Sequence, residues 1–95
     1  PKAKVTYLRP RLGRKVGSIC GLENGQLARR FRGGTHVEFR PESGGGYSIL
    51  VNRVEAGVWA GGLHENVVLD SSNLVLVPQP TFPGMVSVTL YRLAA

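Results

Sequence analysis

The residues with the clearest chemical potential are the basic side chains, which are concentrated in the first third of the chain. Residues 1–32 contain nine lysines and arginines against one acid, a net charge of +8, whereas residues 33–95 contain three against five, a net charge of −2. Such a segment attracts polyanions: nucleic acid is the first expectation, and an acidic protein or an anionic membrane surface is the second. The candidate phosphate contacts are Lys2, Lys4, Arg9, Arg11, Arg14, Lys15, Arg29, Arg30 and Arg32.

Aromatic residues could add base stacking to these phosphate contacts. The run Arg29–Arg32, with an aromatic inside it and two glycines after it, is similar to a fragment of an RGG-type RNA-binding segment. Arginine outnumbers lysine nine to three, and a guanidinium can hold a phosphate through two hydrogen bonds or stack on a base. The stacking candidates are Tyr7, Phe31 and Trp59. For Trp59 the alternative is packing in or beside the core, which is also the role expected of Phe39.

Residues capable of catalysis do not form a recognisable pattern. His64 and Glu65 could supply an acid and a base, and Ser71 or Ser72 a nucleophile, but no G-x-S-x-G or H-E-x-x-H motif accompanies them. The histidines and acids do not cluster at metal-ligand spacing. We therefore expect no enzymatic activity, no metal and no cofactor.

Length and composition limit the class of protein. A chain of 95 residues with 42% hydrophobic residues makes one domain with a modest core, and no apolar run approaches the ~20 residues that span a bilayer. The single cysteine, Cys20, excludes an intrachain disulfide, and its apolar neighbours predict a buried thiol. No segment resembles a signal peptide, so the expected location is the cytoplasm and no membrane contact is expected.

Short β-prone segments recur every 8–12 residues with turn residues between them, and no long helical periodicity appears. Alternation from Thr35 to Arg40 directs Val37 and Phe39 toward a core, and the run Leu74–Val77 predicts a strand buried on both faces. The three prolines at 78–83 predict a loop. The predicted strands are 4–8, 16–22, 35–40, 47–54, 58–60, 67–69, 74–77 and 85–93.

The segment between residues 24 and 32 leaves two structures open. Asn24-Gly25 is a strong signal for a type I′ hairpin turn, because both residues accept positive φ. Residues 26–32 are rich in good helix formers and could form a short helix. However, Gly33-Gly34 ends the segment after seven residues, which favours a strand.

The stretch Leu12–Cys20 places a glycine, two basic residues, a second glycine and β-branched residues in series. Together with the later strand at Val37–Phe39, it resembles the KOW motif of SH3-like barrels in ribosomal proteins and transcription-elongation factors. The resemblance covers about residues 11–40 and implies contact with nucleic acid or a polymerase surface. Independently of it, Gly13 and Gly17 permit a bend that would present Arg14 and Lys15 on a loop.

These observations predict a basic N-terminal arm, residues 1–15, and a single all-β domain, residues 16–95. The domain should be a small antiparallel barrel, SH3-like or OB-like, of seven to eight short strands, whose edges could pair with a second copy in a homodimer. The predicted function is non-enzymatic binding of DNA or RNA through the phosphate backbone, with single strands favoured slightly over duplex. The alternative is a protein-interaction module with an acidic partner, such as a viral or plasmid regulator of a polymerase or nuclease, or an assembly subunit.

Overall fold

The computed structural model describes residues 11–81 and 86–94, and over these ranges the protein is all-β, as predicted. A short 3-10 helix, Leu22–Asn24, follows the first strand. The strands are β1 (Leu12–Cys20), β2 (Ala28–Arg30), β3 (His36–Pro41), β4 (Tyr47–Val51), β5 (Val54–Trp59), β6 (Val67–Leu69), β7 (Leu74–Pro80) and β8 (Val86–Leu93). No helix in the described ranges is long and apolar enough to cross a membrane.

The strands form two antiparallel sheets and do not close into the barrel that the sequence predicts. Sheet A has the order β1-β8-β7-β6, and sheet B has the order β2-β3-β4-β5. Between β5 and β6 the described residues form one backbone hydrogen bond, from the Asp70 N–H to the Ala56 carbonyl at 2.7 Å, and no ladder. The prediction of a closed SH3-like or OB-like barrel is therefore wrong. The chain passes from β5 in sheet B to β6 in sheet A without pairing the two strands.

One hydrophobic core lies between the two sheets. Sheet A contributes residues such as Ile19, Leu76 and Val88, and sheet B contributes Val37 and Phe39, all of them at most 2% exposed. The predicted inward direction of Val37 and Phe39 is thus confirmed. Burying this apolar surface is the main stabilising contribution that a domain of this size has available.

Strand β7 extends further than the sequence predicts. The consecutive residues Leu74, Val75 and Leu76 are all 0% exposed, as expected for a strand buried on both faces. However, β7 continues through Pro78 and Pro80, a segment predicted to be a loop, and pairs there with β8 alone. Prolines two residues apart lack their N–H groups on the same side of the strand. The open side of β7, beyond the first residue of β6, therefore tolerates them.

The type I′ turn lies elsewhere than predicted. Asn24-Gly25 ends the 3-10 helix, where only Gly25 has positive φ, at 88°. The two-residue turn joins β4 to β5 at Asn52 and Arg53, with φ of 51° and 71°, inside the segment 47–54 predicted as one strand. Residues 26–32 contain a short strand, β2, and no helix.

Strand β1 begins at Leu12, so residues 12–15 of the predicted arm belong to sheet A, and residues 1–10 lie outside the described ranges. The glycine-flanked basic stretch is not a loop: it runs within β1, where the register with β8 shifts on both sides of Lys15. At the other end of β1, alternation buries Ile19 and leaves Cys20 exposed. The prediction of a buried thiol is therefore wrong.

Candidate nucleic-acid interface

The edge strands of the two sheets, β1 and β2, are joined by side-chain contacts. The Arg29 guanidinium on β2 donates a hydrogen bond to the Ser18 carbonyl on β1. A Cβ atom at Gly17 would lie 2.5 Å from Cδ1 of Phe31, so the Phe31 ring packs directly on the Gly17 backbone. Basic residues that the sequence separates by more than ten positions therefore share one edge of the protein.

Local sequence features explain this arrangement. Gly21 and Gly25, with φ of 83° and 88°, flank the 3-10 helix and accept left-handed conformations that other residues adopt at a cost. They let the chain leave sheet A and enter sheet B within a few residues. The Arg29 guanidinium then lies 5.1 Å from the centre of the Phe31 ring, a cation–π contact that holds the arginine over the junction.

Six exposed cations follow this edge, and we call them the basic edge. Among the side chains that the structure describes, the single ion pair is Arg40 to Glu38, on β3 at 3.1 Å, so none of the six has a carboxylate partner there. Two of them hold backbone carbonyls, Arg29 that of Ser18 and Arg30 that of Gly34, and a guanidinium retains further donors after one such bond. The basic edge consists of Arg11, Arg14, Lys15, Arg29, Arg30 and Arg32.

Two of the three aromatic candidates belong to the core. Phe31 is 4% exposed beneath Arg29, and Trp59 is 2% exposed. The Trp59 ring stacks on Tyr47 at 5.5 Å, meets Phe39 edge-on at 6.2 Å, and its Nε1–H donates to the Gly62 carbonyl at 3.1 Å. Neither ring has a face open to a base, and we leave both out of the interface.

The remaining predicted contacts lie outside the described residues. They are Lys2, Lys4, Tyr7 and Arg9, which stay predictions. They precede β1 in the sequence.

The residues considered for catalysis do not come together. His64 and Glu65 are exposed between β5 and β6, while the Ser72 hydroxyl donates to the Leu69 carbonyl at 3.1 Å in the turn before β7. Within the described ranges, no group of three histidine, cysteine, aspartate or glutamate side chains could hold a metal ion.

The sequence interpretation missed a second feature, a cleft of about 370 Å³ where β4, β6 and β8 end. Asp70 and Arg92 line it together with Asn52. The signal that could have found it was Asn52-Arg53, a turn-prone pair within an apolar run.

Comparison of the chain with protein-family models, with curated proteins and with solved structures finds no match.

Proposed function

We propose that this chain is a non-enzymatic nucleic-acid-binding protein that contacts the phosphate backbone through the basic edge. The observation that carries the proposal is the row of six exposed cations, four on the edge strands β1 and β2 and two flanking them in the chain, without carboxylate partners among the described side chains. When unpaired cations neutralise phosphates, the counterions condensed on the nucleic acid are released. This release is the main source of sequence-independent affinity. The proposal assumes a cytoplasmic protein that needs no cofactor.

Single-stranded nucleic acid is favoured over duplex. The described ranges contain no α-helix that could enter a major groove, and the basic edge is a narrow ridge of two strands. Five of its six cations are arginines, whose planar guanidinium groups can stack on exposed bases as well as bind phosphates. With Phe31 and Trp59 in the core, Tyr7 is the remaining candidate for aromatic stacking. The KOW-type resemblance of residues 11–40 supports the same class of partner.

The salt dependence of binding tests the proposal. Six phosphate contacts predict that log affinity falls against log salt with a slope of about −4 for a single strand and about −5.5 for a duplex. Between about 50 and 200 mM salt, affinity should fall by about 300-fold to 2,000-fold. Filter binding with an oligonucleotide measures the slope. A dissociation constant weaker than ~100 μM at low salt would exclude the function, because ordinary non-specific binding is tighter than that.

A variant of the basic edge locates the contacts. The triple variant R14Q/K15Q/R32Q avoids the two arginines that hold backbone carbonyls and should reduce the slope by about 2 to 3, since each lost phosphate contact removes about 0.7–0.9. The control Arg40→Gln removes one exposed cation whose charge is already paired with Glu38. The two variants should therefore differ in slope while both remain folded; equal slopes would place the contacts elsewhere.

A second candidate, a protein-interaction module, has one observation in its favour. Val54 and Val58 on β5 and Val68 on β6 are 64%, 66% and 47% exposed, on strands at the other edge of each sheet from β1 and β2. Exposed apolar side chains can mark contact surfaces. Binding of a protein partner that persists at high salt and is lost on Val58→Ser would support this candidate over phosphate contact.

A further inference from the structure

The cleft that β4, β6 and β8 form at their ends has the dimensions of a small-ligand site. Its volume of about 370 Å³ lies in the lower part of the usual range for ligand pockets, roughly 300–1,000 Å³. The aliphatic residues Val51, Ala56 and Leu74 line it, and polar side chains line it beside them. Such a combination of apolar wall and few polar groups suits a small, partly polar molecule.

Backbone hydrogen bonds fix the walls of the cleft from several strands. The Asn52 N–H donates to the His36 carbonyl at 2.8 Å, and the His36 N–H donates to Asn52 Oδ1 at 2.9 Å. In the neighbouring wall, the Asp70 N–H donates to the Ala56 carbonyl. The Leu93 N–H donates to the Asn73 carbonyl at 2.8 Å. Walls held in this way lose little conformational freedom when a ligand binds.

Strained backbone is concentrated around the same cleft. In the described ranges, four residues other than glycine have positive φ: Asn52, Arg53, Ser71 and Asn73. Asn52 and Ser71 line the cleft, and the other two lie in the same two turns. Backbone strain of this kind clusters at ligand sites, where the surrounding structure must maintain it.

The charged groups of the cleft indicate which ligand fits. Asp70 and Arg92 line it with opposite charges, yet they form no ion pair among the described side chains. A carboxylate accepts two parallel N–H groups, and a guanidinium donates two. Guanine is the nucleobase that offers both partners, because its N1–H and N2–H groups donate on one edge while O6 and N7 accept on the other.

We propose that the cleft binds a guanine base, with Asp70 accepting from N1–H and N2–H and Arg92 donating to O6 and N7. This inference rests on the proposed function, since it assigns a base-reading site to a protein that binds the backbone elsewhere. Asn52 can donate to the base through its amide nitrogen, because Oδ1 is used by His36. Arg53 follows Asn52 in the same two-residue turn, so one cation that suits the nucleotide's phosphate is next in the chain to a residue of the cleft.

Titration of the full chain with the four nucleoside monophosphates, followed by amide NMR shifts, tests the proposal. Guanosine monophosphate should shift the amides of residues 52, 70–72 and 92 and should bind about 5-fold to 150-fold tighter than adenosine monophosphate, the range for one good bidentate pair. Free guanosine should likewise bind more tightly than free adenosine. Because neither nucleoside carries a phosphate, this comparison separates base recognition from phosphate attraction.

Matched variants sharpen the test. Asp70→Asn keeps the shape of the side chain and should lower guanosine monophosphate affinity by about 5-fold to 150-fold, the loss of one bidentate pair, while Glu65→Gln, which removes one exposed acid outside the cleft, should leave it unchanged. The dispersion of the NMR spectrum verifies that each variant is folded. If the variants do not fold, the shift map and the nucleotide preference of the unmodified chain still show whether the cleft binds guanine.

The outcomes separate this inference from the proposed function. Equal affinity for the four nucleotides, or shifts outside the cleft, would overturn guanine recognition; if a thymidine oligonucleotide still binds with the steep salt slope, the proposed function stands without it. A guanine preference in the cleft, together with oligonucleotide affinity weaker than ~100 μM at low salt, would instead support the cleft and overturn the phosphate-binding function.

Discussion

Substituting Gly17 with alanine should destabilise the protein through one contact between the two sheets. The added Cβ would lie 2.5 Å from Cδ1 and 2.6 Å from Cε1 of Phe31, whereas carbon atoms pack at about 3.5–4.0 Å. The ring or the β1 backbone must therefore move by about 1 Å. Because Phe31 is 4% exposed, it has little room, and overpacking of this kind costs about 1–3 kcal/mol.

Urea unfolding monitored by the fluorescence of the buried Trp59 measures this loss. A loss of about 2 kcal/mol would lower the urea midpoint by about 1 M. The control is Gly44→Ala: a Cβ there meets nothing within 4 Å and Gly44 has no positive φ, so it reports the change in chain entropy alone. If the free energies of unfolding of the two variants agree within about 0.5 kcal/mol, Phe31 does not pack on Gly17 and the account of the β1–β2 junction is wrong.

A double variant separates strain at this contact from a general loss of stability. Phe31→Leu removes the ring atoms that the new methyl group would strike, so G17A/F31L should be more stable than the sum of the two single losses. A coupling energy of about 0.5–3 kcal/mol is expected for residues in contact, and a coupling of zero would contradict the packing.

Three further changes test other parts of the structure. Arg53→Gly should raise the melting temperature by about 4 °C, because arginine at φ 71° occupies a position that favours glycine in a type I′ turn; a decrease would refute that turn. Trp59→Phe should lower the free energy of unfolding by about 1–2 kcal/mol through the lost hydrogen bond to Gly62, while oligonucleotide affinity of the folded protein stays constant; circular dichroism and filter binding measure the two effects. Cys20 should react with a maleimide under native conditions, and protection until unfolding would contradict its exposure.

The sequence predicted local structure where hydrophobic alternation decides it. Val37 and Phe39 alternate with polar residues and point into the core, and the run at Leu74–Leu76 is buried on both faces. These patterns report which face of a strand leaves water. They do not report which strand is the neighbour, so an open pair of sheets and a closed barrel look alike in the sequence.

The sequence-based predictions are wrong where residues far apart in the chain determine the local structure. Ser18 Oγ and Thr89 Oγ1 are 2.9 Å apart and 71 positions apart in the chain, and no local signal predicts that pairing of β1 with β8. Asn24-Gly25 indicates positive φ but not how many residues adopt it, and here the 3-10 helix restricts it to the glycine. The prolines at 78 and 80 predict a loop because the sequence does not show that β6 leaves this side of β7 unpaired.

Some features of the candidate site could likewise be predicted from the sequence, and others could not. Composition alone located the cations in the first third of the chain, because charge needs no geometry to be counted. The burial of Phe31 depends on Gly17 in the other sheet, so a pattern of arginines around an aromatic residue predicted an exposed ring. The cleft joins residues from 35 to 92, a span over which sequence spacing carries no information.

The different connectivity of the two sheets has a consequence for the order in which the protein can fold. Sheet B is built from strands consecutive in the chain, β2 to β5, whereas among the described strands β1 of sheet A pairs with β8 alone, which is the last of them in the chain. Contacts between neighbours form fast and those between distant segments form slowly. Sheet B can therefore assemble on the ribosome while β1 is still without its partner, and the basic residues on β1 become ordered only after β8 has been synthesised.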